Sequence, residues 1–252
     1  KGTSFMAFKK LLVLTLNTND PKELSKYINK DEVFFLAEKS KDSIQNIEME
    51  EIYPESSLSK LLPHYQFYQN RGISDTTLKK FKGGLATKGQ MYQRFVFPIY
   101  NQYGQIHGFS GRDILNRKEA PKWKHIGSKS TWVFPAKKNS KIIKELKEVF
   151  IVESIGDALS LYSADIKNII VSFGLDISTS IINFLLKLDV TMIRICFNND
   201  SENKFAGNNA AEKGYEKLTK FFDRNQVVIN LPSKKDFGEM SAEEITQWRK
   251  KI

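Results

Sequence analysis

The sequence is poor in the residues that build disulfide frameworks, zinc sites and membrane spans. It has 1 cysteine and 3 histidines among 252 residues, which excludes internal disulfides and any cysteine-based zinc site and fits a reducing compartment such as the cytoplasm. The apolar run Leu11–Leu16 is far shorter than the roughly 18 residues typical of a transmembrane helix. Because 40% of the residues are hydrophobic and 12% aromatic, the chain is expected to fold around a packed core.

Positive charge is concentrated in the middle of the chain. Residues 56–150 carry 18 Lys and Arg against 5 Asp and Glu, a net charge of +13, whereas residues 1–55 and 151–252 have net charges of −2 and −1. Lysines and arginines that neutralise nucleic-acid phosphates release counterions, so a concentrated basic region indicates a nucleic-acid partner. The alternative is a solvated lysine-rich surface, and the uneven distribution favours nucleic acid.

Composition and periodicity divide the chain into five predicted segments. The first is a helical segment, the second a polar linker, the third a basic α/β subdomain, the fourth a regular strand–helix alternation and the fifth a short helix. In that order they comprise residues 1–39, 40–57, 58–147, 148–240 and 241–252.

The basic subdomain is predicted to contain two helices and a β-hairpin. Leu58–Asn70 has helical spacing, and Ser74 precedes a second helix over residues 75–81 as its N-cap. From Gln93 the apolar period changes to two, a turn follows, and the chain returns as a second strand. We expect the sequence Gly-Phe-Ser-Gly-Arg at 108–112 to close this hairpin as a basic loop.

From Glu148 onwards, strands alternate regularly with helices. The predicted strands are 149–153, 168–173, 191–197 and 226–231, and the predicted helices lie near 156–164, 178–188 and 207–222. Alternation with short connections is typical of an α/β fold with a parallel sheet.

Two of these strands end in acidic residues. Glu153 follows the apolar run at 149–152, and Asp200 follows the run at 191–197. The carboxyl ends of parallel strands are where open α/β sheets bind ligands. Clustered carboxylates without Cys or His suit a hard cation such as Mg²⁺, which is commonly held by one or two carboxylates together with substrate phosphates. The strand ends therefore indicate phosphate chemistry.

These strand ends resemble the motifs of a TOPRIM domain, the Mg²⁺-binding fold of DnaG-type primases, type IA and II topoisomerases and some small nucleases. Ile-Val-Glu-Ser-Ile-Gly-Asp-Ala at 151–158 is similar to the first motif, with Ser154 where primases usually have glycine. Asn198-Asn199-Asp200 is similar to the second motif, Asp-x-Asp, and Ala206-Gly207 follows after a short insertion.

Sequences upstream of that domain resemble the basic hairpin of DnaG-type primase cores, and most of all those of bacteriophages. They are Arg94-Phe-Val-Phe-Pro-Ile-Tyr, the run Gly104–Arg112 and Pro121-Lys-Trp. The resemblance covers residues 58–240. It implies a TOPRIM-type parallel sheet flanked by helices and joined to a basic subdomain with a β-hairpin. It also implies a DNA primase catalytic core, a nucleotidyltransferase that makes short RNA primers.

The resemblance implies partners and site residues as well. The expected partners are a single-stranded DNA template, ribonucleoside triphosphates and a replicative helicase, in the cytoplasm of a bacterium or a phage-infected host, with no membrane involved. The expected ligands of Mg²⁺, or of Mn²⁺, are five side chains, of which the first three are also the expected catalytic residues: Glu153, Asp200, Asp236, Asp157 and Asn198. The expected contacts to nucleotide phosphates and template are Arg94, Arg112, Lys122 and Lys124. Asp157 is equally well placed to cap the helix that follows Glu153.

Departures from the family pattern leave alternatives open. Asn198 replaces an acid, so one alternative is a non-catalytic TOPRIM module that binds nucleic acid. The other is a fragment of a TOPRIM nuclease or topoisomerase. The chain begins at Lys1 rather than at methionine and lacks the zinc ribbon of the family, while residues 1–30 resemble the helical tail after that ribbon. We therefore expect a fragment of a longer protein, with no zinc in this chain.

Overall fold

The computed structural model describes residues 51–200 and 205–252, which form two β-sheets and the helices around them. The helical segment predicted over residues 1–39 and most of the predicted linker lie outside the described residues, and the division into subdomains stays a prediction. Within the described part of the chain, no helix has the length and apolarity needed to cross a bilayer.

The first sheet is antiparallel and has five strands that lie side by side in chain order. They are β1 (Leu61–Leu62), β2 (Gly84–Ala86), β3 (Arg94–Tyr100), β4 (Ile106–Asp113) and β5 (Trp123–Ile126). The predicted hairpin is confirmed, because β3 and β4 pair along their whole length. Nearly every residue of these two strands is buried, so the hairpin forms the centre of the sheet.

The helix predicted over Leu58–Asn70 is wrong. A 3-10 helix (Glu55–Lys60) leads into β1, and α-helix is limited to α1 (Gln66–Gln69). Pro63 has no backbone N–H and disfavours helical conformation in the residue before it. The two leucines before Pro63 therefore pair with β2 as a short strand.

The basic loop predicted at residues 108–112 is also wrong. These residues lie inside β4, and residues 109–112 pair with β5 on the side opposite β3. Gly108 is required there, since a Cβ on it would lie 2.3 Å from Cζ2 of the buried Trp132. The glycines of this segment thus permit close packing inside the sheet and do not form the predicted loop.

The N-cap predicted at Ser74 is confirmed. Helix α2 (Asp75–Lys80) begins after this residue, and the Ser74 hydroxyl oxygen accepts a hydrogen bond from the backbone N–H of Thr77 at 3.2 Å. Such a bond satisfies one of the free N–H groups of the first helical turn.

The second sheet is parallel, as the strand–helix alternation predicts, and the predicted α/β fold is confirmed. Its strands are β6 (Glu148–Val152), β7 (Ile169–Val171), β8 (Met192–Cys196) and β9 (Val227–Ile229), in the order β7-β6-β8-β9. Its helices are α3 (Ala136–Leu146), α4 (Ile155–Ser163), α5 (Thr179–Leu188), α6 (Ala206–Leu218) and α7 (Ala242–Lys250). Because Val152 pairs with Cys196, the carboxyl ends of β6 and β8 lie side by side.

One hydrophobic core joins the two sheets. It includes Phe95 and Phe97 of β3, Phe150 of β6, and Trp132 from the connecting segment. Phe134 adds a backbone link, since its carbonyl accepts a hydrogen bond from the N–H of Val171 at 2.9 Å. The antiparallel sheet is thereby packed against the parallel one.

His125 lies in this shared core and predicts a pH dependence of stability. Its ring packs edge-on against Trp132 and Phe173, and its Nδ1 atom is buried without a hydrogen-bond partner among the described residues. Burial, and to a lesser extent the charge of Lys129, lowers the pKa of His125 from 6.5 to about 4. Between these values the unfolded chain binds more protons than the folded chain, so stability decreases as the pH falls from about 6.5 to about 4.

We expect His125→Phe to weaken this dependence, because phenylalanine has a ring of similar size without a titrating nitrogen. The measurement is the urea midpoint of both proteins at intervals between pH 4 and pH 7. The carboxyl groups that titrate in this range are common to both proteins, so their effect cancels in the difference. Identical slopes would show that His125 does not contribute.

Candidate active site

Glu153 directly follows β6, at the carboxyl end of a central strand of the parallel sheet. Its Oε2 atom is buried and has no hydrogen-bond partner within the described residues. Burial raises the pKa of Glu153 to about 7, together with the negative charges of Asp157, Asp200 and Asp236. The charges of all three oppose the ionisation of this carboxylate, so negative charge is concentrated at this edge of the sheet.

Asp157 caps helix α4. The backbone N–H and the hydroxyl of Ser154 donate hydrogen bonds to Asp157 Oδ2 at 3.1 and 2.6 Å, and the N–H of Asp157 donates back to Ser154 Oγ at 3.3 Å. These bonds form a capping box. The spacing Ser-x-x-Asp in the sequence is typical of this motif. Burial and the charge of Asp236 raise the pKa of Asp157 to about 6, although the bonds from Ser154 and from the Phe237 backbone oppose the shift.

Asp200 lies beyond β8 and is held by the start of helix α6. Its backbone N–H donates to Asn208 Oδ1 at 3.0 Å, and its Oδ2 accepts from the N–H of Gly207 at 3.3 Å. Gly207 lies directly against the turn, because a Cβ there would be 2.2 Å from the carbonyl oxygen of Asn198. The Ala-Gly that follows the second motif is thus explained by the close approach of the turn and the helix.

Asp236 precedes a short 3-10 helix (Phe237–Glu239) in the loop after β9. Asn199 connects this loop to the turn after β8, since its backbone N–H donates to the carbonyl of Lys235 at 2.8 Å and its side chain donates to that of Pro232 at 3.3 Å. Asn208 in turn donates to Asn199 Oδ1 at 3.2 Å. These roles of the two asparagines could not be predicted, because Asn199 bonds distant backbone carbonyls and Asn208 acts through Asn199.

The acids do not form a closed ligand set. Among residues 51–200 and 205–252, no three Asp, Glu, His or Cys side chains are grouped so that they could hold one metal ion. The donors at this edge are nevertheless all oxygens, which suit Mg²⁺ or Mn²⁺. A cation bound there would give the buried Oε2 of Glu153 the partner that it lacks. The oxygen donors at this edge therefore fit such an ion. The five ligands named from the sequence stay a prediction.

Basic and aromatic side chains face these acids across a cavity of about 210 Å³. The basic side contributes Arg71, Arg112 and Lys122, and the acidic side contributes Asp157 and Asp236. Two of the predicted phosphate ligands, Arg112 and Lys122, therefore line the same cavity as Asp157 and Asp236.

Arg112 is held in place by two aromatic rings. Its guanidinium carbon lies 5.8 Å from the ring centroid of Phe67 and 5.7 Å from that of Trp123. Its Nε is buried without a hydrogen-bond partner in the described part of the chain, and burial lowers its pKa. A buried guanidinium with free donors is suited to an anionic ligand. Phe67 and Arg71 also line this cavity. Neither was predicted, because Phe67 was placed in a longer helix and no local pattern marks Arg71.

The other two predicted phosphate ligands make structural contacts and do not line this cavity. Arg94 is 4% exposed, and its Nη1 donates to the carbonyls of Pro121 at 2.9 Å and Gly111 at 3.3 Å. Lys124 donates to the carbonyl of Gln90 at 3.0 Å. These bonds do not support a role for either side chain in binding nucleotide, and that role stays a prediction.

Comparison with known proteins agrees with this arrangement. Residues 150–241 match the family model described as Toprim-like. The DNA primase of Staphylococcus aureus strain COL is 28% identical over 246 residues, which cover 79% of this chain and 39% of that protein. The DNA primase of Listeria innocua is 30% identical over 184 residues, which cover 68% of this chain and 28% of that protein. The chain therefore spans about two fifths or less of these relatives.

Solved structures show the same fold. The Aquifex aeolicus primase, with its zinc-binding and RNA polymerase domains, has a TM-score of 0.64 at 20% identity over 92% of this chain and 70% of that chain. A DnaG primase catalytic domain bound to single-stranded DNA has a TM-score of 0.62 at 19% identity over 75% and 71% of the two chains. The RNA polymerase domain of Mycobacterium tuberculosis DnaG has a TM-score of 0.60 at 16% identity, over 74% of both chains.

Proposed function

Because the chain resembles DnaG-type DNA primases in sequence, has the fold of their catalytic core and carries a Toprim-like domain, we propose that it is a primase catalytic core. The proposed reaction is nucleotidyl transfer. A ribonucleotide 3′-hydroxyl attacks the α-phosphate of a ribonucleoside triphosphate on a single-stranded DNA template, and pyrophosphate leaves. We further propose that the reaction takes place in a bacterial or phage-infected cytoplasm and that a replicative helicase is a partner.

One observation carries the proposal. The charges of Asp157, Asp200 and Asp236 act on the buried, unpartnered Glu153 carboxylate, and Arg112 and Lys122 face two of these acids, Asp157 and Asp236, across one cavity. Catalysis of phosphoryl transfer consists mainly of positioning and electrostatic stabilisation. It needs negative groups that bind divalent cations, and positive groups opposite them that bind phosphates.

The acidic residues would hold Mg²⁺ or Mn²⁺. Since no three acids of the described residues are grouped around one ion, we assign Glu153, Asp200 and Asp236 as principal ligands of more than one cation, with Asp157 and Asn198 as additional ones. When bound, the cation lowers the pKa of an attacking oxygen and neutralises charge on the leaving oxygens. Asp157 also fixes the start of helix α4 through its capping box, so it would keep the turn after Glu153 in place.

The basic residues would bind the triphosphate. The guanidinium of Arg112 has a planar fork that can donate two parallel hydrogen bonds to phosphate oxygens, and Phe67 and Trp123 restrict its orientation. Lys122 adds a positive charge at the same cavity. Together they would hold the phosphates of the incoming nucleotide towards the acidic edge.

The test is incorporation of labelled ribonucleotides on single-stranded DNA with Mg²⁺ or Mn²⁺, with and without a supplied RNA primer. We expect synthesis by the wild type and a loss of at least about 100-fold in Asp200→Asn, which removes one ligand charge but keeps the shape of the side chain. Asp189→Asn is the matched control, because Asp189 forms a surface ion pair with Lys147 and should leave synthesis unchanged.

The same assay separates the alternatives. DNA cleavage without synthesis would identify a TOPRIM nuclease. Binding of DNA with neither reaction, with or without the primer, would identify a non-catalytic module in which Asn198 marks a lost ligand. Equal synthesis by wild type and Asp200→Asn would overturn the assignment of Asp200.

A further inference from the structure

A second cavity, of about 460 Å³, lies between the β3–β4 turn and helix α5. We call it the hairpin groove and define it by Tyr100, Tyr103, Ala136, Phe184 and Lys187, which are among the residues that line it. It shares no lining residue with the cavity beside Glu153. It is therefore a separate surface that the proposed reaction does not use.

Aromatic side chains form part of the hairpin groove. Tyr103 lies in the turn between β3 and β4 and is 76% exposed. Phe184 lines the opposite wall and is partly buried. Exposed aromatic rings are the platforms on which proteins stack the bases of single strands, largely without regard to sequence.

Lysines surround the aromatic rings, and acids are absent from the same segments. Residues 100–107, 131–144 and 177–188 contain no Asp or Glu. Lys187 lines the groove, and Lys137 reaches the hairpin turn, since its Nζ lies 2.9 Å from where a Cβ on Gly104 would be. Neither lysine forms an ion pair within the described residues, so both charges are available to an anion.

Further positive charge adjoins the hairpin groove. The ammonium group of Lys82 lies 4.9 Å from the ring centroid of Tyr100, but it is paired with Glu55 at 3.1 Å and is largely neutralised. Burial lowers the pKa of Lys138, and the charges of Lys80, Lys82 and Lys137 lower it further. Lys138 thus lies in a positive environment next to Lys137, and phosphates bound nearby would relieve that repulsion.

We propose that the hairpin groove is a second binding site for single-stranded DNA, in which Lys137 and Lys187 contact phosphates and Tyr103 stacks on a base. The inference rests on the proposed function because it takes the template to be single-stranded DNA. Its test measures binding alone, so it can succeed or fail independently of catalysis.

The first experiment measures the salt dependence of binding to a fluorescent oligodeoxythymidine by anisotropy. Each lost phosphate contact on a single strand reduces the slope of log K against log salt by about 0.7. We therefore expect Lys137→Gln/Lys187→Gln to reduce the slope by about 1.4. The control with the same loss of charge is Lys213→Gln/Lys251→Gln, two exposed lysines far along the chain from the groove segments.

The second experiment tests stacking at fixed salt. We expect Tyr103→Ala to weaken binding of the same oligonucleotide roughly 5- to 100-fold with little change of the salt slope. Tyr103→Phe, which keeps the ring, should bind like the wild type. All these side chains are exposed, and unchanged thermal melting would confirm that the variants remain folded.

Two results would overturn the inference. One is an equal change of slope in both double-lysine variants, which would show only the effect of net charge. The other is an equally large loss of binding to a blunt duplex, which would indicate a different ligand. If the wild type makes no primers but binding is still lost in the groove variants, the catalytic proposal is refuted and this one is supported.

Discussion

Glu153→Gln is expected to lose primer synthesis by at least about 100-fold while the protein stays folded. Glutamine has the same size and keeps one carbonyl oxygen, but it removes the charge that would bind a cation. The wild-type carboxylate is buried and close to Asp157, Asp200 and Asp236, so its ionised form is unfavourable in the folded state. In metal-free buffer above pH 7, the variant should therefore be at least as stable as the wild type.

Loss of primer synthesis without loss of stability is the result that would identify Glu153 as a metal ligand. Primer synthesis and urea unfolding should be measured on the same preparation, with Asp189→Asn as the control for a surface acid. A variant that loses both activity and stability would indicate that Glu153 holds the fold together, and full activity would refute its role as a ligand.

Glu148→Ala is expected to destabilise the protein by about 3 to 5 kcal/mol, the usual result of removing one partner from a buried ion pair. Glu148 begins β6, and its two carboxylate oxygens accept from Arg194 Nε and Arg249 Nη2, both at 2.6 Å. Arg194 and Glu148 have side-chain exposures of 13% and 12%. Without the carboxylate, the charge of Arg194 would remain buried with Asn230 as its one hydrogen-bond partner among the described residues.

The measurement is the free energy of unfolding in urea. Glu145→Ala is a suitable control, because Glu145 pairs with Lys141 on the exposed side of helix α3 at 3.8 Å, and such pairs contribute about 1 kcal/mol or less. A similarly small change in the free energy of unfolding at both positions would show that the ion pairs of Glu148 contribute little to stability.

The effect of Glu148→Ala should extend to the candidate active site. Arg249 belongs to helix α7, whose Trp248 packs on Phe237 with ring centroids 4.9 Å apart and donates to the carbonyl of Leu231 at 2.9 Å. Phe237 directly follows Asp236. Loosening α7 should therefore disturb Asp236, and primer synthesis by the variant should fall even at temperatures where it remains folded.

Local patterns in the sequence were sufficient for the parallel sheet and for its acidic edge. Glu153 could be placed because an apolar strand run ends directly before it, and Ser74 could be recognised as an N-cap because its partner lies three residues away. The hairpin followed from the period-two pattern of β3. In each of these cases the determining interactions are close in sequence.

Features set by contacts distant in sequence could not be predicted. Arg94 and Arg112 have the same chemistry, but β4 places Arg112 opposite Trp123, whereas Arg94 is fixed by carbonyls of β4 and of the loop before β5. The strand β5 has only four residues and no periodic pattern. The connection through Asn199 between the turns of Asp200 and Asp236 depends on backbone carbonyls more than thirty residues away.

The burial of β3 and β4 restricts how this protein can meet a nucleic acid. Some nucleic-acid-binding sheets are open-faced and stack bases directly on aromatic residues of their central strands. Here Phe95, Phe97 and Phe109 are inside the protein, so the middle of the sheet offers no such platform. The proposed single-stranded template would therefore have to approach the sheet from its rim, at the Tyr103 turn or beside Trp123 at the start of β5.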